Sequence, residues 1–159
     1  MSRPDPAITS VLLDRIIDAE RSLVLLRCDE GDLLREQLRL HSIRTGQALY
    51  AWNGDSGLCS LRDGQLPVPG SRRMADALRY VLQSAHFGVY FFSGYPKPFD
   101  TAMVSLFRQV AKLGGERVRR VVLLDPDTQL PPTVEFCELG WDAGARARPR
   151  LRDGRWVRA

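Results

Sequence analysis

Apolar positions return along the chain with two alternating periods. In residues 6–20, Ile8, Val11, Leu12 and Ile16, joined by Ala19, recur at helical spacing, behind Asp5-Pro6, a capping acid and a proline suited to the first helical position. Ser22 to Cys28 (SLVLLRC) is instead a short continuous apolar run, the mark of a strand buried on both faces. The spacing predicts a second helix over residues 31–44, with Leu33, Leu34, Leu38 and Leu40 on its apolar side and Gly46 as its stop. Gln47 to Trp52 is the next strand, followed by turn chemistry in Asn53-Gly54-Asp55. Residues 57–69 read either as a loop or as a small hairpin turning at Asp63-Gly64.

The alternation then resumes. Residues 71–84 form a helix with Met74, Ala77, Leu78, Val81 and Leu82 inward, and Phe87 to Phe92 a strand. Residues 100–113 form a helix with Met103, Val104, Phe107, Val110 and Ala111 as its core face, stopped by Gly114-Gly115. Arg120 to Asp125 is a strand, Pro131-Pro132 excludes a helix before Thr133, and Glu135 to Trp141 is a final strand. Strand and helix alternate, and the strands are apolar throughout. These features predict an α/β domain in three α/β/α layers, with a mostly parallel sheet of about five strands.

Composition supports one globular domain: 159 residues, 44% hydrophobic and 26% charged, without an apolar run of the ~20 residues that a spanning helix needs. The opening MSRPDPAITS has no apolar signal-peptide core, so the cytoplasm is the expected location and no membrane partner is expected. Cys28, Cys59 and Cys137 are scattered and odd in number, which favours reduced thiols over disulfides or zinc. The charge, however, is uneven. Residues 143–159 hold six Arg and one Asp, while the other 142 residues hold 17 basic and 18 acidic side chains. The expected organisation is therefore a domain over residues 1–142 and an Arg-rich tail over 143–159.

Ligands of open α/β sheets bind at the carboxyl ends of the strands, and these ends lack the usual equipment. After the first strand comes Cys28-Asp29-Glu30-Gly31-Asp32, with one glycine, no lysine and three carboxylates that would repel phosphate. The third strand ends in Ser93-Gly94-Tyr95-Pro96, with neither the acid that holds Mg²⁺ in an ATPase nor one that activates water. Tyr95 and Lys97 are a poor proton-transfer pair, since Pro96 stands between them. Asp125-Pro126-Asp127 reads first as a turn cap. His41 and His86 read as surface or cap residues, without a serine or cysteine partner.

The chain resembles the N-terminal domain of AAA-type ATPases of the chloroplast and cyanobacterial type, in which a degenerate P-loop, RecA-like domain precedes an active AAA module. The similarity spans roughly residues 8–141. It rests on Leu49-Tyr50-Ala51-Trp52 followed by Gly57-Leu58, on Pro98-Phe99 after the third strand, and on Val121 to Pro132, where a strand leads into Leu-Pro-Pro. The resemblance implies a RecA-like fold without Walker motifs. No AAA module follows in this sequence, so ATPase activity does not carry over.

Three functions are compatible with these residues. The leading one is a non-catalytic adaptor or regulatory domain acting through protein contacts, without catalytic residues, metal or cofactor, with an AAA-type ATPase or a second copy as partner. The second is a small metal- or nucleotide-dependent enzyme or sensor using Asp29, Glu30, Asp125 and Asp127. The third is a nucleic-acid-associated protein using Arg146, Arg148, Arg150, Arg152, Arg155 and Arg158 on phosphates and Trp156 for stacking. The tail itself reads as a solvated terminus or as an edge strand turning at Arg152-Asp153-Gly154-Arg155.

Overall fold

A computed structural model describes residues 6–62, 66–114, 118–141, 149–152 and 155–158, the last two segments by their backbone. Asp5, Asp63-Gly64, Gly115, Arg146, Arg148 and Asp153-Gly154 lie outside the described residues. The elements run α1 (Pro6–Ile17), β1 (Leu23–Arg27), α2 (Gly31–Thr45), β2 (Leu49–Asn53), β3 (Gly57–Ser60), α3 (Met74–Gln83), β4 (Gly88–Phe92), α4 (Thr101–Ala111), β5 (Arg119–Leu124), β6 (Cys137–Gly140), β7 (Pro149–Arg152) and β8 (Arg155–Arg158). Six strands form one sheet in the order β3-β2-β4-β5-β1-β6, and β7 pairs with β8 in a separate two-stranded sheet. Five strands of the large sheet are parallel, and β3 joins its edge antiparallel to β2. The ambiguous stretch after residue 56 thus supplies an edge strand. Asn53 turns the chain into it, its Oδ1 accepting from the amides of Asp55 (3.0 Å) and Ser56 (2.9 Å). Gly57 begins β3 at φ 81°, where any Cβ would come within 2.7 Å of Ser71 Oγ.

Strict alternation divides the sheet between two cores. Leu23 and Leu25 of β1, Tyr90 and Phe92 of β4, and Val121 and Leu123 of β5 pack with α3 and α4. Val24, Leu26, Val89, Phe91, Val122 and Leu124, one position on, pack with α1 and α2. This is the α/β/α sandwich that the two-sided apolar runs predict. On α1, Ile8, Leu12 and Ile16, with Ala19 just beyond it, face the core as expected, but Val11 is 56% exposed and Thr9 and Leu13 are buried in addition. On α2, Leu40 is likewise exposed, and His41 is buried with its Nε2 hydrogen-bonded to Gln47 Oε1 (3.0 Å). His41 is therefore a packed core residue and not a surface one. His86 is exposed.

The amino edge of the sheet carries two arginines that sequence reading passed over. Arg119 and Arg120 are consecutive in β5, so they serve opposite faces. Arg119 Nη1 donates to the carbonyls of Val81 (3.3 Å), Leu82 (2.9 Å) and Ser84 (2.9 Å), at the carboxyl end of α3. Arg120 donates to the carbonyls of Ile16 (3.1 Å), Ile17 (2.8 Å) and Ala19 (3.1 Å) at the end of α1, and to Ser22 Oγ (3.0 Å). Each guanidinium bonds carbonyls at a helix end, where few amide donors remain, and meets the negative end of the helix dipole. One strand thereby fastens a helix on each layer.

Candidate functional site

The order of strands and the direction of the crossovers locate the crevice where a ligand would be expected. From β1 the chain leaves through α2 and returns in β2, across β5 and β4, on the face shared with α1. From β5 it leaves in the other direction, over β1 to β6, through a segment whose Val134 packs in the opposite core. The adjacent strands β1 and β5 thus diverge at their carboxyl ends, the switch point of an open α/β sheet.

Arg27 spans this point. Its Nε donates to Glu138 Oε1 of β6 at 2.8 Å, and its Nη1 to the carbonyls of Pro126 (3.1 Å) and Thr128, just past β5. One guanidinium therefore ties together the ends of β1, β5 and β6. The turn from β1 into α2 contains only Cys28, Asp29 and Glu30. A phosphate-wrapping loop needs about four residues between its glycines to present successive amides. The turn here is too short for that, and Asp29 and Glu30 stand exposed at its tip.

The Ser93-Gly94-Tyr95-Pro96 end of β4 has a structural task. Gly94, at φ 64°, reverses the chain, and Tyr95 returns into the core at 6% exposure. The Tyr95 ring lies against Phe99 (5.5 Å between centroids), which meets Phe107 edge-on at 4.7 Å. The Tyr95 hydroxyl is hydrogen-bonded to Oγ1 of Thr128, itself fully buried. Burial pushes the Tyr95 phenol well above its ordinary value, which makes it a poor proton-transfer group at neutral pH. Lys97 turns elsewhere, its ammonium pairing with Asp125 Oδ2. The two residues thus bond separate partners. Asp100 ends the loop as the cap of α4, accepting from the Met103 amide at 2.8 Å.

Asp125 is a turn cap as well as an ion-pair partner, its Oδ1 accepting from the Asp127 amide at 2.8 Å. Burial alone would raise the Asp125 carboxyl, but bonds from Lys97, the Asp127 amide and Thr128 outweigh it and hold the group below the usual range. Among the described residues, no group of three or more His, Cys, Asp or Glu is placed to hold a metal ion. Asp29, Glu30, Asp125 and Asp127 are thus not brought together as one ligand set. In the tail, β7 and β8 pair antiparallel, in line with the reading of Arg152 to Arg155 as a turning point, but they form a sheet of their own and not an edge of the domain's sheet.

Sequence reading missed Arg27, Glu138 and Thr128. The one available signal for Arg27 was a charge closing an otherwise apolar strand.

Compared with known proteins, residues 9–137 match the family described as SpoVK-like AAA ATPase, N-terminal domain. No curated protein and no solved structure matches the chain.

Proposed function

The chain belongs to the SpoVK-like AAA ATPase N-terminal domain family, and from that premise we propose that it is a non-catalytic adaptor or regulatory domain acting through protein contacts. Its fold derives from nucleotide-binding α/β proteins, in a degenerate form that has given up the phosphate site. The observation that carries this is Arg27, bonded to Glu138 and to the carbonyls of Pro126 and Thr128 across the switch point. A nucleotide there would have to break these bonds and approach Asp29 and Glu30. Its partner is an AAA-type ATPase or a second copy of the chain. Exposed apolar side chains on the helices of one layer, Val11 on α1 and Leu40 and Ile43 on α2, suit a protein contact. A cytoplasmic location belongs to the same proposal. It is supported by three cysteines that form no disulfide and by the lack, among the described residues, of a helix long and apolar enough to cross a membrane.

Thermal unfolding with Mg-ATP, Mg-GTP and their diphosphates tests the site. A ligand at ~100 times its Kd stabilises the native state by about 2.7 kcal/mol, a rise in Tm of several degrees for this size. No shift is expected with any of the four. A shift abolished by Asp29→Lys or Glu30→Lys would overturn the proposal. Affinity capture with an AAA module, beside sedimentation of the chain alone, then decides between the two partners.

A further inference from the structure

The two helices over one face of the sheet leave an apolar ridge uncovered. α1 and α2 pack against each other and share one core with the sheet. Both run from its carboxyl edge to its amino edge, because each leads into a strand of the parallel set. Registers from Leu23 through Val121 and Tyr90 to Tyr50 bring the starts of β1 and β2 to one level, so the helices also end near one level. On the side away from the sheet, Val11 of α1 is 56% exposed, and Leu40 and Ile43 of α2 are 42% and 50% exposed. At ~1.5 Å per residue, Val11 stands about 9 Å from the end of α1, and Leu40 about 8 Å from the end of α2. Charge along the ridge differs between the helices. α1 carries exposed Asp14 and Asp18 beside Val11, and α2 carries exposed Arg44 beside Ile43. Arg15 has a contact within its own chain, and Arg39 pairs with Glu36 at 2.6 Å.

We propose that this face binds a second copy of the chain about a two-fold axis parallel to the helices, which rests on the adaptor reading and specifies its protein contact. Such an axis sets α1 of each protomer against α2 of the other, at the same level and in the same direction. Val11 then meets the partner's Leu40 and Ile43, and Asp14 meets the partner's Arg44. Glu36 falls opposite the first turn of the partner's α1, the positive end of that helix. An isologous contact needs a face complementary to itself, and an acid on one helix level with a base on the other supplies that. A face that reads an unrelated protein needs no such match. With helices of 12 and 15 residues packed ~10 Å apart, the face measures about 20 by 20 Å, at the low end for a stable interface. The dimer should therefore be reversible, with a Kd on the order of micromolar.

The test is sedimentation velocity of the full chain from about 1 to about 200 µM, a range that brackets such a Kd. A monomer–dimer equilibrium is expected, weakened by added salt. Ile43→Asp should raise Kd by about 10-fold or more, since the symmetry buries the new charge twice. Asp14→Arg and Arg44→Asp should each weaken association as well, because like charges then meet at both contacts. Mixed in equal amounts, these two variants should form a heterodimer, and the double variant Asp14→Arg, Arg44→Asp should regain the parent's affinity. All three sites are exposed, so Tm at low concentration should be the same in every variant. The proposal is overturned if the chain is monomeric at every concentration, if the dimer is indifferent to Ile43→Asp, or if neither the mixture nor the double variant regains affinity. A monomeric chain that captures an AAA module, and loses it with Ile43→Asp, would give this face a different occupant and leave the adaptor reading standing. A nucleotide-dependent rise in Tm with the dimer intact would overturn the adaptor reading instead.

Discussion

The two edges of the sheet use charge in different ways. At the amino edge, Arg119 and Arg120 are part-buried and bond to main-chain carbonyls at the ends of α3 and α1. At the carboxyl edge, Lys97 pairs with Asp125, while Arg27 meets a charged partner, Glu138, as well as two carbonyls. The Lys97 side chain is 41% exposed, and water competes with Asp125 for it. The carbonyls at the two helix ends are part-buried with less access to water, and although Ile16 and Val81 also accept from main-chain amides, the loss of the arginine donors should be felt more strongly there. The amino edge should therefore dominate stability, whereas the carboxyl edge, the usual place of chemistry, should tolerate change.

Arg120→Ala should have the largest effect. It removes donors from four carbonyls and Ser22 Oγ, and we expect a loss of about 3 kcal/mol and a fall in Tm of about 6–12 °C. Arg119→Ala, which serves one helix end through a single nitrogen, should cost about 2 kcal/mol. Denaturant titration of both beside Lys97→Met checks the order. If Lys97→Met costs as much as Arg120→Ala, the contrast between the edges fails.

Thr128→Val sharpens the comparison from the other side, since Thr128 is a fully buried polar residue at the carboxyl edge. Removing its hydroxyl leaves the Tyr95 phenol without that partner in a dry site, at a cost of about 1–3 kcal/mol. The double variant Thr128→Val, Tyr95→Phe removes donor and acceptor together and should recover the part of the loss that falls on Tyr95, leaving the part due to Asp125, which Thr128 also bonds. If the two losses simply add, Tyr95 and Thr128 are not energetically coupled.

The same contrast explains what the sequence made legible. Helices and parallel strands were readable because alternating apolar runs depend on neighbours one to four residues away. The stripe of α1 was misread at one position, where Val11 was expected inward and Leu13 passed over, while Ile8, Leu12, Ile16 and Ala19 do face the core. Arg120 was unreadable for a different reason: its acceptors lie about a hundred residues earlier in the chain. Arg27 reaches Glu138 over a similar separation. Likewise, the emptiness of the strand ends could be read from missing motifs, but not that an arginine fills the switch point. His41 looked exposed because its neighbours in sequence are polar, yet its helix turns it inward toward Gln47.

The smallest effect should come from the Lys97–Asp125 pair. Partly exposed ion pairs are worth about 0–1 kcal/mol, and both Lys97→Met and Asp125→Asn should fall in that range at neutral pH. The pH dependence identifies the source. Because the folded Asp125 carboxyl is held below its ordinary value, its contribution is complete above the unfolded pKa and is lost as pH falls through the folded one. Tm profiles of the parent and Asp125→Asn should run parallel from neutrality to about pH 5 and converge below about pH 4. Added salt should narrow the gap at neutral pH. A gap that survives to pH 2 would place the effect in the turn geometry around Asp127, not in the charge, and the carboxyl edge would then be held by main-chain bonds as the amino edge is.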